Sequence, residues 1–465
     1  MKRLVIMMSM LLCLLPLAGC LTAAGDPPEE QPGLAGERVE ELHTLSVRFT
    51  EYLATGETVA ADAMMSDAMK KAMDGKLAAT WSQLADSLGA FAETGAYVGL
   101  VSEGYDVLEM TLVFAGGTVV QRTVFDEDDL ITGLFFRNGQ VESNTAAPAP
   151  AAELPDGVTE TAITVDAGEG YPLAGKLTLP EGGKPVAAVV LVHGSGPGNM
   201  DETVGANAPF RDIAYGLAAK RIAVLRYDKR TLTHGAAMAE RGANNITIDE
   251  EAAFDALAAV KLLQEREETA DCRIYLLGHS LGGGLLAYIN SLGAGADGYI
   301  IMAGTPRNLW ELSAEQNLLI ADELEQGGDR AQAGDVRDFV EKERQRAAAL
   351  AGMKADETLF GIPAPYLQKL GEIDAIALHR KDRLPVLVLQ GESDRQVTGK
   401  DLTLWQAGLA AHPDADFRSY PGLNHLFGRY EGEAVPFSQL VAVEYAQMTP
   451  VAGEVVDDIA AWLTR

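Results

Sequence analysis

Short, largely apolar runs recur along the second part of the chain and alternate with stretches of helical periodicity. The apolar runs lie at 186–192, 222–227, 273–277, 299–303 and 385–389, and the helical stretches lie at 210–219, 249–264, 281–291 and 402–411. A run that is apolar at every position is typical of a strand buried on both faces. Alternation of such strands with helices favours a mostly parallel sheet covered by helices on both sides. With two preceding strand-like runs, at 160–166 and 172–179, the pattern predicts an α/β domain over residues 158–465.

The connection between the runs at 299–303 and 385–389 is much longer than one crossover helix needs. It is rich in Ala, Glu, Leu, Gln and Arg, which favour helices. We therefore expect most of it, at about residues 305–383, to form a helical cap over the edge of the sheet.

Before this domain, the pattern indicates a smaller unit at residues 37–143. Apolar residues at Leu42, Leu45, Phe49 and Leu53 have helical spacing. Three alternating runs follow, at 108–114, 119–124 and 131–136, which predict antiparallel strands. Helices followed by a meander indicate a small α+β domain, and it resembles a domain of unknown function that precedes secreted hydrolases. Residues 144–157, rich in Ala and Pro, predict a linker between the two domains.

The first residues have the pattern of a targeting segment. Lys2 and Arg3 precede an apolar run at 4–18, which is too short for a membrane-spanning helix and typical of a secretory signal peptide. The run ends in Leu-Ala-Gly-Cys at 17–20, which resembles the lipobox of bacterial lipoproteins. The resemblance implies removal of a signal peptide at 1–19, lipidation of Cys20 and a flexible tether at 20–36. It predicts an extracytoplasmic protein held at a bacterial membrane by its N-terminal lipid alone.

Composition and charge narrow the classes of function. Of 465 residues, 37 are Lys or Arg and 67 are Asp or Glu, so the formal net charge is −30. An acidic surface repels phosphate backbones, which argues against a nucleic-acid partner. With three cysteines in the chain, a disulfide scaffold is excluded.

The chemistry is predicted at the ends of strands. Residues 278–282 read Gly-His-Ser-Leu-Gly and stand between a predicted strand and a predicted helix. This is the setting of a nucleophile elbow, in which a sharp turn exposes the serine and needs glycines on both sides. We therefore predict Ser280 as a nucleophile.

A serine nucleophile needs a base and an acidic residue to orient that base. In this fold the order along the chain is Ser, then Asp or Glu, then His. Asp394 follows the apolar run at 385–389 and is the best candidate acid, with Glu392 and Asp382 as competitors. Order and position select His425 as the base among the seven histidines.

An oxyanion hole is the fourth expected element. One donor is the backbone N–H of Leu281, the residue after the nucleophile. The second is expected in the glycine-rich loop that follows the run at 186–192, where we choose the N–H of Ser195, with Gly194 as the alternative. This mechanism needs no metal and no organic cofactor.

Several strings in the second domain carry a family resemblance. They are Leu-Val-His-Gly-Ser-Gly-Pro (191–197), Val-Leu-Arg-Tyr-Asp-Lys-Arg (224–230), Gly-His-Ser-Leu-Gly-Gly (278–283), Met-Ala-Gly-Thr-Pro-Arg (302–307), Leu-Gln-Gly-Glu-Ser-Asp-Arg-Gln-Val (389–397) and Pro-Gly-Leu-Asn-His-Leu-Phe (421–427). On the basis of these strings, residues 172–463 resemble an α/β-hydrolase of the bacterial serine esterase group. The resemblance implies a triad of Ser280, Asp394 and His425. The family usually has Gly directly after Asp-Lys-Arg, where this chain has Thr231.

The resemblance implies hydrolysis of small or short-chain carboxylic esters through an acyl-serine. A serine peptidase or acyl-peptide hydrolase, and an acyltransferase or thioesterase, share the same fold and residues. A tethered binding protein on a decayed hydrolase scaffold is a further alternative, against which the intact Ser, Asp and His set argues.

Overall fold

The computed structural model describes residues 36–138 and 154–465, except for residues 74, 103–104, 115–116, 169, 236–237 and 239–245. These residues divide into two compact units, one on each side of residues 139–153. The predicted signal peptide, Cys20 and nearly all of the predicted tether lie outside the described residues, as does most of the predicted linker. Within the described ranges, no helix has both the length and the apolar character that crossing a membrane requires.

The first unit packs four helices on a four-stranded antiparallel sheet. The helices are α1 (Gly36–Thr55), α2 (Thr58–Ala63), α3 (Asp67–Met73) and α4 (Leu77–Leu88), and the strands are β1 (Phe91–Ser102), β2 (Tyr105–Phe114), β3 (Gly117–Phe125) and β4 (Ile131–Asn138). The strands pair in chain order. Leu42, Phe49 and Leu53 of α1 are buried with Leu108 and Met110 of β2, because the apolar stripe of the helix faces the sheet. Helix α1 starts one residue inside the predicted tether, and β1 has no counterpart in the prediction.

The second unit is built on an eight-stranded sheet. Its strands are β5 (Val158–Asp166), β6 (Pro172–Pro180), β7 (Ala187–Val192), β8 (Ile222–Tyr227), β9 (Ile274–His279), β10 (Gly298–Met302), β13 (Val386–Gly391) and β14 (Ala415–Tyr420), and a separate short hairpin contains β11 (Thr358–Leu359) and β12 (Ile362–Pro363). The order across the sheet is β14-β13-β10-β9-β7-β8-β6-β5. Strands β7 to β10, β13 and β14 are parallel, whereas β5 and β6 are antiparallel to their neighbours. The predicted α/β-hydrolase fold class is confirmed.

The helices of this unit cover both faces of the sheet and fill the long connection between β10 and β13. They are α5 (Pro209–Ala218), α6 (Arg230–Thr233), α7 (Phe254–Glu265), α8 (Leu281–Ser291), α9 (Leu309–Gln326), α10 (Arg330–Ala347), α11 (Ala364–Gly371), α12 (Ala375–Asp382), α13 (Gly399–Gly408) and α14 (Gly453–Leu463). Val189 and Leu191 of β7 pack with α5 and α14, whereas Val190 and Val192 pack with α7 and α8. Because neighbouring residues of one strand enter opposite cores, every position of β7 is apolar. Helices α9 to α12 fall in the region of the predicted cap.

The carboxyl ends of the parallel strands meet at one edge. Val192 is paired with Gly278, Met302 is paired with both His279 and Leu389, and Gly391 is paired with Tyr420. The loops after β7, β9, β10, β13 and β14 therefore leave the sheet side by side, and they carry the predicted site residues.

Candidate active site

Ser280 lies at a sharp turn between β9 and α8. Its backbone has φ 54° and ψ −120°, a conformation that an L residue rarely adopts. The turn needs glycines: a Cβ on Gly278 would lie 2.4 Å from the carbonyl oxygen of Gly282, and a Cβ on Gly282 would lie 2.4 Å from that of Val192. The chain therefore packs the elbow directly against the end of β7, which brings the loop after β7 beside the serine.

Asp394 and His425 are hydrogen-bonded to each other. Nδ1 of His425 lies 2.7 Å from Oδ2 of Asp394, and both residues are buried. A carboxylate can only accept, so Nδ1 carries the proton and Nε2 is left with a lone pair. The other oxygen of Asp394 accepts the N–H groups of Gln396 and Val397, and the Gln390 amide donates to Oδ2. These bonds fix the carboxylate and, through it, the ring of the histidine.

The loop that carries His425 is held by its neighbour Asn424. The Asn424 side chain accepts the N–H groups of Leu426 and Gly428 and donates to Glu444. A Cβ on Gly391, at the end of β13, would lie 2.4 Å from the carbonyl oxygen of Leu423. Glycine at that position therefore lets the acid-bearing and histidine-bearing loops lie in contact.

Ser280 and His425 line the same cavity, which has a volume of about 210 Å³. The rings of His425 and His279, the residue before the serine, lie 4.6 Å apart between centroids. Among the described residues, the Ser280 hydroxyl forms no hydrogen bond with the imidazole. A second cavity of about 370 Å³ shares Leu281, Thr305 and Leu309 with the first, so the two cavities are neighbours.

The glycine-rich loop after β7 leaves one N–H group free beside the serine. The N–H of Gly194 donates to Glu202 at 2.7 Å, and that of Gly196 donates to Glu251 at 2.9 Å. Within the described chain, the intervening N–H of Ser195 has no hydrogen-bond partner, and neither has that of Leu281 at the start of α8. Because Gly194 is already bonded, the geometry favours Ser195 over the alternative donor.

Two buried ion pairs support this loop and its surroundings. Nζ of Lys229 lies 2.6 Å from Oε1 of Glu251 and donates to the carbonyl oxygen of Gly194. Arg230 pairs with Asp255, and both side chains are almost fully buried. Lys229 and Arg230 therefore contribute structural ion pairs.

The competing acids lie elsewhere. Glu392 accepts the hydroxyl of Ser419 at an exposed position, and Asp382 accepts that of Tyr299 before the start of β13. Neither carboxylate is hydrogen-bonded to His425, which leaves Asp394 as its partner.

The two motif histidines have other partners. Nε2 of His193 lies 2.9 Å from the carbonyl oxygen of Asn199, and burial lowers the pKa of His193 to about 4, so this ring is neutral. His279 is paired with Glu202. Sequence reasoning missed Glu202, which lies in an irregular segment without a motif around it.

Fold and sequence comparison together define the class of protein. Residues 189–435 match the alpha/beta hydrolase family. The chain belongs to this family.

Individual relatives narrow the class. The chain is 33% identical over 418 residues to the esterase EstD of Thermotoga maritima, a match that covers 90% of this chain and 94% of that protein. Solved structures with a similar fold include Est1E from Butyrivibrio proteoclasticus (16% identity, 65% of this chain and 98% of that chain, TM-score 0.41). Another is the esterase domain of a Rhodothermus marinus protein (19% identity, 66% and 98%, TM-score 0.39). The chain is an esterase-like hydrolase, as the sequence analysis predicts.

Proposed function

We propose that this chain hydrolyses carboxylic esters through an acyl-serine intermediate on Ser280. The observation that carries the proposal is the 2.7 Å hydrogen bond between Asp394 and His425, at the cavity that Ser280 lines. A serine hydroxyl is a weak nucleophile until a neighbouring base removes its proton. The extensive likeness to an esterase supports an ester as the substrate.

In the first half of the reaction, Nε2 of His425 accepts the proton of Ser280 while Oγ attacks the ester carbonyl carbon. Asp394 keeps the proton of His425 on Nδ1 and stabilises the imidazolium that forms. The tetrahedral intermediate collapses when the bond to the alcohol oxygen breaks. That oxygen receives the proton from Nε2, and an acyl group remains on Ser280.

In the second half, water replaces the alcohol. His425 removes a proton from a water molecule, whose oxygen attacks the acyl carbon. Collapse of the second tetrahedral intermediate breaks the bond to Oγ of Ser280, which recovers a proton from Nε2. The carboxylic acid leaves and the enzyme returns to its starting state.

The N–H groups of Ser195 and Leu281 bind the oxyanion in both tetrahedral intermediates. Two features support these donors: neither N–H has a partner among the described residues, and a Cβ on Gly194 would lie 3.2 Å from Cβ of Ser280, so the loop touches the nucleophile. A preorganised donor of this kind is worth about 10²–10³-fold in kcat. The site therefore stabilises charge where it develops.

The size of the cavity at Ser280 supports a small acyl group. Pockets for drug-sized ligands measure about 300–1,000 Å³, whereas this cavity measures about 210 Å³. We infer a preference for short-chain acyl esters.

Ester hydrolysis is tested with p-nitrophenyl esters of increasing acyl length. Ser280→Ala is expected to lower kcat by several orders of magnitude, while Ser393→Ala, at an exposed serine near Asp394, leaves it unchanged. A fluorophosphonate probe should add its mass at Ser280 in the wild type. Unchanged turnover in Ser280→Ala would refute the proposal, and peptide p-nitroanilides as better substrates would favour a peptidase.

We further propose that Cys20 carries a lipid that holds the enzyme at the extracytoplasmic face of a bacterial membrane. The proposal is supported by the basic, apolar and Leu-Ala-Gly-Cys pattern of residues 2–20. Expression in a bacterial host with an alkyne-bearing fatty acid should label the wild type and leave Cys20→Ser unlabelled. Equal labelling of both proteins, or of neither, would refute the lipid anchor.

A further inference from the structure

A buried carboxylate outside the predicted triad joins three parts of the site. Oε1 of Glu202 accepts the N–H of Gly194 at 2.7 Å. Oε2 of Glu202 lies 3.0 Å from Nδ1 of His279, the residue before the nucleophile. Nε2 of His279 in turn lies 2.9 Å from the backbone carbonyl oxygen of His425. The Glu202 carboxylate and the His279 imidazole thus link three parts of the site. These are the glycine-rich loop after β7 (the oxyanion loop), the turn at Ser280 and the loop that carries His425.

The partners of His279 define its protonation state. A carbonyl oxygen only accepts, so Nε2 of His279 carries a proton. Nδ1 lies in ion-pair contact with a carboxylate oxygen, and among the described residues neither Nδ1 nor Oε2 of Glu202 has a hydrogen-bond partner. With both ring nitrogens facing acceptors, His279 is an imidazolium paired with the Glu202 carboxylate.

The surroundings of the pair favour this charge state. Burial lowers the pKa of His279, but Glu202 and the His425 carbonyl oxygen more than offset burial, so the pKa of His279 lies above its ordinary value. Burial raises the pKa of Glu202, but His279, together with His193 and the Gly194 N–H, outweighs burial, so the net change is downward. The other charged or titratable groups that face the pair are His193 after β7, Lys229 after β8, Asp394 after β13 and His425 after β14.

The backbone around Glu202 is built for this contact. Glu202 has φ 51°, in the left-handed region, and its N–H donates to the carbonyl oxygen of Asn199 at 2.8 Å. A Cβ on Gly194 would lie 3.3 Å from Oε1 of Glu202 and 3.2 Å from Cβ of Ser280. The oxyanion loop therefore fits between the carboxylate and the nucleophile, and the residue that holds it occupies a conformation that L residues avoid unless their surroundings enforce it.

We propose that Glu202 and His279 are positioning residues that fix the oxyanion loop and the backbone of His425 around Ser280. The proposal rests on the proposed ester hydrolysis. Glu202 holds the peptide that carries the Gly194 N–H, and the Ser195 N–H belongs to the next peptide along the chain. Release of the Gly194 N–H therefore lets the Ser195 N–H turn away from the oxyanion. That donor acts on charge present only during the reaction, so its displacement lowers kcat and changes KM little.

Two substitutions of Glu202 separate its roles. Glu202→Ala removes both contacts, and we expect kcat to fall roughly tenfold to hundredfold with little change in KM. Glu202→Gln keeps an acceptor for the Gly194 N–H and offers an amide N–H to a neutral His279, so kcat should remain within about fivefold of the wild type.

Glu343 provides a matched control. It is a buried carboxylate that also accepts a backbone N–H at 2.7 Å, from Phe360, and pairs with Arg346. It lies on α10 and does not line the cavity at Ser280. Glu343→Ala should lower stability without a fall in kcat.

The pH profile distinguishes positioning from a general loss of structure. In the wild type, His279 loses the Nδ1 proton as the pH rises through its raised pKa, a lone pair then faces the carboxylate, and kcat declines. Glu202→Gln should lack this decline, because its amide bonds the neutral ring. The profile decides the question even where Glu202→Ala does not fold.

Three outcomes would overturn the inference. Absence of ester turnover in the wild type would remove the proposed function and this role together. Wild-type turnover with an unchanged kcat in Glu202→Ala would remove the positioning role alone. The same alkaline profile in Glu202→Gln and the wild type would likewise refute the role of the ion pair.

Discussion

The hydroxyl of Tyr366 donates a 2.5 Å hydrogen bond to Oε2 of Glu251, whose other oxygen accepts the N–H of Gly196. Tyr366 lies on α11 in the helical insertion between β10 and β13, the region of the predicted cap, and Gly196 lies in the loop after β7. The side chains of Tyr366 and Glu251 are both buried. The insertion is therefore joined through Glu251 to the loop that presents the Ser195 N–H. It thus contributes to the geometry of the site.

Tyr366→Phe should uncouple the insertion from this loop. The buried carboxylate loses one donor, and an unsatisfied acceptor of this kind costs about 1–3 kcal/mol. We expect that loss in urea unfolding, together with a lower kcat. Tyr288→Phe is the control, since the Tyr288 hydroxyl donates to the more exposed carboxylate of Asp249. Equal effects of the two substitutions on kcat would contradict the coupling.

Asp394→Asn tests the choice of acid. The amide keeps the shape of the side chain but no longer requires a proton on Nδ1 of His425, so the ring can adopt the wrong tautomer for the base. We expect kcat for a p-nitrophenyl ester to fall by about 10⁴-fold. Glu392→Gln should leave kcat unchanged, because Glu392 bonds Ser419 at the surface. A severe loss in Glu392→Gln alone would reverse the assignment.

Strands β7 to β10 and β13 of the second unit were predictable because burial on both faces requires an apolar residue at nearly every position. In β7, Val189 faces one core and Val190 the other, so no position tolerates a polar residue. Strand β1 carries no such record. None of its positions from 91 to 100 is fully buried, and the segment contains Gly95 and Gly99, so neither an apolar run nor clear alternation marks it.

The same contrast applies to the site. Ser280 and Asp394 follow buried apolar strands, and His425 follows the more polar strand β14. The order of parallel strand ends makes the approach of the three residues predictable. Glu202 lies in an irregular segment that does not directly follow a strand, and its partner His279 is the last residue of β9. A contact between a loop carboxylate and a distant ring depends on packing in three dimensions, which no local spacing encodes.

Gly282→Ala tests the packing of the elbow. A Cβ at this position would lie 2.4 Å from the carbonyl oxygen of Val192 and 2.5 Å from that of His193, both backbone atoms that cannot move without shifting β7. We expect loss of soluble protein or a large drop in the free energy of unfolding. Gly334→Ala is the matched helical control, since a Cβ added there meets nothing within 4 Å beyond its chain neighbours and the backbone of its own helix. It should gain up to about 1 kcal/mol from helix propensity. Similar stabilities for both variants would contradict the packing argument.

His379 should make stability depend on pH. It is fully buried between the rings of Tyr299 and Trp405, and neither ring nitrogen has a hydrogen-bond partner in the described part of the chain. Burial lowers its pKa to about 3, whereas a histidine in the unfolded chain titrates near 6.5. Between these values the unfolded state binds a proton that the folded state does not, so stability is complete above the unfolded pKa and falls as the pH drops.

His379→Phe keeps an aromatic ring at this position and removes the titration. The free energy of unfolding of the wild type should decrease from pH 6.5 towards pH 4, with His379 contributing a slope of about 1.4 kcal/mol per pH unit. His193, whose pKa burial lowers to about 4, contributes in the same direction and is retained in the variant. Urea unfolding at several pH values should therefore give a shallower dependence for His379→Phe, whatever its absolute stability. Parallel curves for the two proteins would mean that His379 binds its proton equally in the folded and unfolded states, and would contradict the lowered pKa.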